Sequence, residues 1–200
     1  MTSFLFYTDA NEIIVATDTL LHYPDGSPPG FVSKALAFPH LRMIIAGTGS
    51  GLFYNRWIGL VNHQGTFLDV DAINVHAPQE LQVLWSELNA QTEATQDQTA
   101  TIYHFGFIDD AVHGFAYRSV NDFRSERLQY GLGVKPELTS YSGLDLQTFP
   151  KCAPEIMRTQ IRQELEKTDG RVYIGGTVQV THASKQGILI YSLGDLNTPN

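Results

Sequence analysis

The chain lacks the residues that several common kinds of binding site need. Cys152 is the single cysteine among 200 residues, which excludes an intrachain disulfide and a cysteine metal cluster. The seven histidines include no pair at the helical spacing of a zinc site, and we expect neither a metal nor any other cofactor. The 13 Lys and Arg form no run and are outnumbered by 21 Asp and Glu, which gives a net charge of -8. Because neutralising phosphates takes clustered Lys and Arg, we expect no nucleic-acid partner.

Long hydrophobic runs are also missing. No apolar stretch reaches the length that spans a membrane, and no charged start followed by an apolar segment marks a secretory signal. We therefore predict a cytoplasmic protein that does not bind membranes. A chain of 200 residues can bury one sizeable core and is short for two, so we expect a single domain over residues 1–200.

Apolar runs at the start of the chain predict two hairpins. Residues 4–7 and 13–18 flank a turn-rich gap, and residues 31–38 and 43–46 flank a second turn that contains Pro. The run Gly-Thr-Gly-Ser-Gly at 47–51 ends the fourth strand and is followed by apolar residues at helical spacing. A strand-to-helix turn is therefore expected at these glycines.

Helices and strands follow in separate blocks. The predicted elements are helices over 52–61, 78–90 and 153–167, a three-stranded meander over 100–130, an irregular connection over 134–152, and a closing hairpin over 172–192. Blocks of this kind are typical of α+β folds, in which sheets and helices segregate.

Four stretches, in their order and spacing, resemble the β-type subunits of the proteasome family, which are N-terminal nucleophile (Ntn) hydrolases. They are residues 12–18, 32–36, 45–51 and 172–180, so the resemblance extends over nearly the whole chain. It implies a four-layer αββα sandwich, with two antiparallel sheets between helical layers. It also implies that copies of the chain form a homo-oligomer such as a ring, and that the substrate is a peptide or amide.

The resemblance gives roles to four residues. In the family an N-terminal Thr is both nucleophile and base, and Thr2 matches it because its separation from Asp18 suits the family's first hairpin. Lys34 would stand beside this Thr as a cation held by Asp18, and the Gly47 N–H would face the oxyanion. An α-amine with a pKa of about 8 is a workable base and a peptide nitrogen is not, so Met1 has to be removed.

The chain also departs from the family pattern. Where the family has Ser in a Gly-Ser-Gly turn near the nucleophile, the run 131–133 has Leu132. Arg171 and Ile174 stand where the family has Asp and Ser ahead of its paired glycines, with Asp169 as a replacement if the turn is longer.

Two other functions therefore stay open beside that of a threonine hydrolase. The first is a non-catalytic structural or assembly subunit of the same fold, which the substituted positions favour. The second is a ligand-binding domain that uses the turn at 47–51 to hold an anion, since exposed N–H groups at a helix start attract negative charge.

Overall fold

The computed structural model describes residues 2–23, 27–63, 67–91 and 99–196, and within them it has three antiparallel sheets and three α-helices. The strands are β1 (Phe4–Thr8), β2 (Glu12–Asp18), β3 (Leu20–Leu21), β4 (Gly30–Phe31), β5 (Ala35–Phe38), β6 (Met43–Thr48), β7 (Thr101–Ile108), β8 (Ala111–Arg118), β9 (Ser125–Arg127), β10 (Gly131–Lys135), β11 (Thr177–Ser184) and β12 (Gly187–Asp195). The helices are α1 (Gly51–His63), α2 (Val70–Gln91) and α3 (Ala153–Leu165). The α+β class predicted from the sequence is confirmed.

Two five-stranded sheets contain most of the strands. The first sheet has the order β10-β1-β2-β11-β12 and the second has the order β5-β6-β7-β8-β9, while β3 and β4 form a small ribbon. The first sheet joins strands from both ends of the chain, because β2 pairs with β1 on one side and with β11 on the other. The second sheet is a run of hairpins, and it includes the predicted meander.

Three apolar clusters hold these elements together. One lies between α1, α2 and the second sheet, and a second lies between α3 and the first sheet. The third lies between the two sheets, where Phe4 and Val15 of the first meet Ile44 and Phe105 of the second. Successive residues of β1 and β2 pack in different clusters. Phe4 faces the second sheet, and its neighbour Leu5 faces α3. Both faces of the first sheet are therefore buried around β1 and β2.

The second helix begins earlier than the sequence predicted. Helix α2 starts at Val70 and contains Pro78, whereas Pro78 was expected to open the helix. Buried Val70, Ile73, Ala77 and Leu81 continue one apolar stripe across the proline, so packing against the second sheet outweighs the lost backbone hydrogen bond. The described helices include none that is long and apolar enough to cross a membrane.

Two further predictions of strand positions are corrected. The irregular connection was expected to start at residue 134, but 131–135 form β10, which pairs with β1. Glycine has a low strand propensity, so the glycines of this segment did not indicate a strand. Gly133 is required there because an added Cβ would lie 2.1 Å from the Phe6 ring. The closing hairpin starts at Thr177, since 172–176 form no strand. The sequence also indicates a Pro- and Gly-rich loop over 23–30 and a polar stretch over 91–98, and of these ranges residues 24–26 and 92–98 lie outside the described residues.

Candidate functional site

A buried ion pair joins the ends of two strands that belong to different sheets. Asp18 is the last residue of β2, and Lys34 directly precedes β5. The Lys34 Nζ lies 2.9 Å from Asp18 Oδ1, with Asp18 fully buried and Lys34 7% exposed. A charge pair this deep in a protein is costly unless its remaining hydrogen-bonding capacity is met.

The Asp18 carboxylate meets this requirement through two backbone donors. The Ser3 N–H donates to Oδ1 at 2.9 Å, and the Gly175 N–H donates to Oδ2 at 3.2 Å. Asp18 in turn donates its own N–H to the Ser3 carbonyl at 3.4 Å. One carboxylate therefore ties the beginning of the chain, the end of β2 and the segment before β11 to the ammonium of Lys34.

Burial shifts the protonation equilibria of both partners. It raises the pKa of the Asp18 carboxyl and lowers the pKa of the Lys34 ammonium, while the attraction between the two groups opposes both shifts. A lysine held in this way is a cation of reduced proton affinity that can stabilise a neighbouring negative charge. Titratable groups perturbed by burial and by one specific partner are common at functional sites.

Thr2 is one residue before the Ser3 N–H that contacts Asp18, and it is 8% exposed. It precedes Ser3, whose side chain points away from the second sheet and donates to Gln160 Oε1 of α3 at 2.5 Å. Gln160 donates in turn to the Pro136 carbonyl at 2.6 Å, which fixes the carboxamide. Successive side chains of an extended segment alternate, so we expect the Thr2 side chain to face the second sheet, as Phe4 does. Met1 lies outside the described residues.

Gly47 lies near the end of β6, and its N–H has a partner. It donates to the Lys34 carbonyl at 3.3 Å, so in this conformation it does not point at open space. A Cβ at this position would lie 2.5 Å from the Tyr54 ring, which explains why glycine is needed. In the turn that follows, Gly49 has φ +96° and Ser50 Oγ accepts from the Phe53 N–H at the start of α1. The turn at 47–51 is therefore a strand-to-helix connection capped by its own serine.

Leu132 does not stand near the candidate nucleophile. It pairs with Tyr7, at the far end of β1 from Thr2. The register instead brings Lys135 opposite Phe4, so the residues that follow Lys135 are the ones that approach the beginning of the chain. The apolar side chain of Leu132 therefore lies away from Thr2 and does not contribute to the candidate site.

None of the hydrogen bonds among the described residues joins the ion pair to Arg171, Ile174 or Asp169. The Arg171 Nε donates to the Glu164 carbonyl at 3.0 Å and closes the end of α3. Ile174 is buried in the cluster between α3 and the first sheet, and Asp169 is exposed. Gly175 follows directly and supplies the donor that these side chains do not, since its N–H contacts Asp18.

Sequence reasoning missed three residues that hold the site, namely Ser3, Gln160 and Gly175. Gly175 falls within a stretch that carried the family resemblance, but a backbone donor leaves no side-chain signal. Ser3 and Gln160 are 157 positions apart, and only the packing of α3 on the first sheet brings them together. Among the described residues no group of three or more His, Cys, Asp or Glu side chains is arranged to hold a metal ion.

Solved structures with the same fold include Anbu proteins from three organisms. The Anbu (ancestral beta-subunit) structure from Yersinia bercovieri has a TM-score of 0.68, is 11% identical, and matches over 98% of this chain and 88% of that chain. Anbu from Hyphomicrobium sp. strain MC1 has a TM-score of 0.66 at 9% identity, over 97% of this chain and 88% of that chain. The Anbu complex of Pseudomonas aeruginosa, solved as a helical assembly, has a TM-score of 0.67 at 13% identity, over 95% and 85%.

At the level of sequence, no protein-family model and no curated protein matches the chain. Identities of this size show a shared fold and nothing finer. The α+β fold of this chain is accordingly that of the Anbu structures, which are proteasome-like, in agreement with the resemblance to proteasome β-type subunits.

Proposed function

We propose that the chain is an N-terminal threonine hydrolase of peptide or amide bonds, formed by a single Ntn-hydrolase-like domain over residues 1–200. One observation carries the proposal. Asp18 and Lys34 form a buried ion pair. The Asp18 carboxylate also accepts the N–H of Ser3, the residue that follows Thr2. The bond from the Ser3 N–H satisfies the buried carboxylate and at the same time fixes the backbone next to Thr2 close to the Lys34 ammonium, and a terminal nucleophile needs such a nearby cation and a fixed backbone.

The proposed reaction is acyl transfer through a covalent ester. The Thr2 hydroxyl attacks the substrate carbonyl while its proton passes to the α-amine of Thr2, directly or through water. The C–N bond then breaks, the amine leaves with that proton, and an ester to Thr2 remains. Water activated by the same α-amine hydrolyses the ester and restores the hydroxyl. Lys34 would favour the developing alkoxide, and Asp18 would hold Lys34 in place.

The oxyanion needs a backbone donor, and Gly47 stays the proposed one. Its N–H would have to exchange the 3.3 Å bond to the Lys34 carbonyl for a bond to the oxyanion. The exchange is favourable in direction, because a hydrogen bond to a charged acceptor is about twice as strong as one between neutral groups.

The architecture and assembly of the family extend this proposal. The three apolar clusters support a four-layer order in which α1 and α2, the second sheet, the first sheet and α3 succeed one another. The Anbu complex from Pseudomonas aeruginosa forms a helical assembly, and we propose that copies of this chain also associate with one another. The cytoplasmic location expected from the sequence stays a prediction.

Intact mass first establishes that the protein lacks Met1 and is otherwise complete. Turnover of fluorogenic peptide amides by this protein then tests the proposal. We expect Thr2→Ala to abolish turnover and an electrophilic peptide inhibitor to add to Thr2. Thr181→Val is the matched control, because it removes a hydroxyl that is buried between the sheets and has no hydrogen-bond partner among the described residues. Undiminished turnover by Thr2→Ala would refute a threonine nucleophile.

The alternative of a non-catalytic subunit predicts a different pattern. Protein that lacks Met1, associates with itself and shows neither turnover nor an inhibitor adduct would fit a structural role. In that case Thr2→Ala should leave the assembled size unchanged in analytical ultracentrifugation.

A further inference from the structure

A second lysine lies between the two sheets near the same end of β1. Lys135 ends β10 and pairs with Phe4. Its Nζ donates to Thr48 Oγ1 at 3.1 Å and to Thr101 Oγ1 at 3.2 Å, and both threonines are buried. The side chain therefore reaches from the first sheet to β6 and β7 of the second.

The charge of Lys135 has no counterion among the described residues. None of their ion pairs includes Lys135, although an ammonium has three donors and the two threonines accept only two. The neighbouring charge is the guanidinium of Arg118, which repels it and is itself paired with Glu126. Burial and this repulsion both lower the pKa of the Lys135 ammonium. A partly buried cation without a counterion is in place to bind an anion.

The location of Lys135 points to an anion carried by the substrate. Phe4, its partner in the sheet, is two residues after Thr2, and diagonal neighbours across antiparallel strands lie about 7–8 Å apart. Thr48 is the last residue of β6, where the strand leads into the glycine-rich turn. Lys135 and the two threonine hydroxyls thus lie at the end of the space between the sheets toward which we expect the Thr2 side chain to point.

We propose that Lys135, Thr48 and Thr101 form an anion subsite that takes a carboxylate of the substrate close to the bond that is cleaved. This inference rests on the proposed function, since it names the substrate class of the same site. The carboxylate comes either from an acidic side chain or from the free C terminus of a peptide. On a chain with net charge -8, the subsite is a local cation that selects for an acidic group.

Equilibrium binding to full-length Thr2→Ala protein tests the subsite without hydrolysis. The probes are three acetylated tripeptides that end in a Glu amide, a Gln amide and a Gln free acid. We expect one of the two carboxylate peptides to bind about tenfold or more tightly than the Gln amide, because hydrogen bonds to charged groups are the stronger kind. Lys135→Met should remove that advantage and Lys135→Arg should retain it, while Thr101→Val should reduce it.

The outcomes separate this inference from the proposed function. Equal affinities for all three peptides, no binding of either carboxylate peptide, or an advantage that survives Lys135→Met would each overturn the subsite. A selective carboxylate advantage in a protein whose native Thr2 form hydrolyses nothing would keep the subsite and refute the hydrolase. Hydrolysis of peptide amides without carboxylate selectivity would support the hydrolase and refute the subsite.

Discussion

Replacing the members of the buried ion pair singly and together measures how strongly the two charges depend on each other. Lys34→Met leaves Asp18 with its two backbone donors, whereas Asp18→Leu leaves the Lys34 ammonium buried and orphans the N–H groups of Ser3 and Gly175. Breaking a buried pair costs about 3–5 kcal/mol, and each orphaned donor adds about 1–3 kcal/mol.

We therefore expect Lys34→Met to lower the free energy of unfolding by roughly 3 kcal/mol and Asp18→Leu by roughly 5 kcal/mol. The double variant should lose no more than Asp18→Leu alone, because removing the second charge also removes the penalty of leaving it unpaired. The double-variant cost should thus be about 3 kcal/mol less than the sum of the single costs.

Urea denaturation at pH 7, extrapolated linearly to water, provides the four free energies of unfolding. The exposed pair Arg42–Asp110, whose atoms lie 3.0 Å apart, is the control, and its cycle should show a coupling of at most about 1 kcal/mol. Additive losses at Asp18 and Lys34 would refute the reasoning, since they would mean that neither charge depends on the other.

Two further predictions concern the second sheet and the glycine-rich turn. Burial lowers the pKa of His104 to about 3, and its ring accepts from Trp57 Nε1 at 2.9 Å, so the folded protein holds the neutral imidazole. As the pH falls, the unfolded chain takes up the His104 proton at a higher pH than the folded protein does. The contribution of His104 to the free energy of unfolding is therefore complete above pH 6.5 and is lost as the pH drops from 6.5 toward 3, with a loss of about 2 kcal/mol at pH 5. Urea denaturation at pH 7 and pH 5 should show this loss, and His104→Gln should lack it. A Cβ at Gly49 would lie 1.9 Å from the Thr99 carbonyl oxygen at φ +96°, so Gly49→Ala should lower the melting temperature. A Cβ at Gly51, in the first turn of α1, would have no atom within 4 Å, and alanine favours a helix more than glycine does, so Gly51→Ala should raise the melting temperature. Equal effects of the two substitutions would contradict the turn geometry.

Local sequence patterns were sufficient for much of the fold. Two apolar runs around a short polar gap are enough to predict the hairpin of β1 and β2, because both strands pair with their nearest neighbour in sequence. The amphipathic period of α3 is equally local. Helix α2 was cut short because Pro78 is a strong local signal, and only the stripe that packs on the second sheet overrides it.

The sequence by itself determined the α+β order of elements and, through the family resemblance, drew attention to Thr2, Asp18 and Lys34. Tertiary structure decided what surrounds them, because the partners of Asp18 come from positions 3, 34 and 175. It also decided that Leu132 lies opposite Tyr7 and that Lys135 reaches the second sheet. These facts depend on strand register and on the stacking of two sheets, and a shift of one residue in register turns every side chain to the other face. No local pattern carries that information.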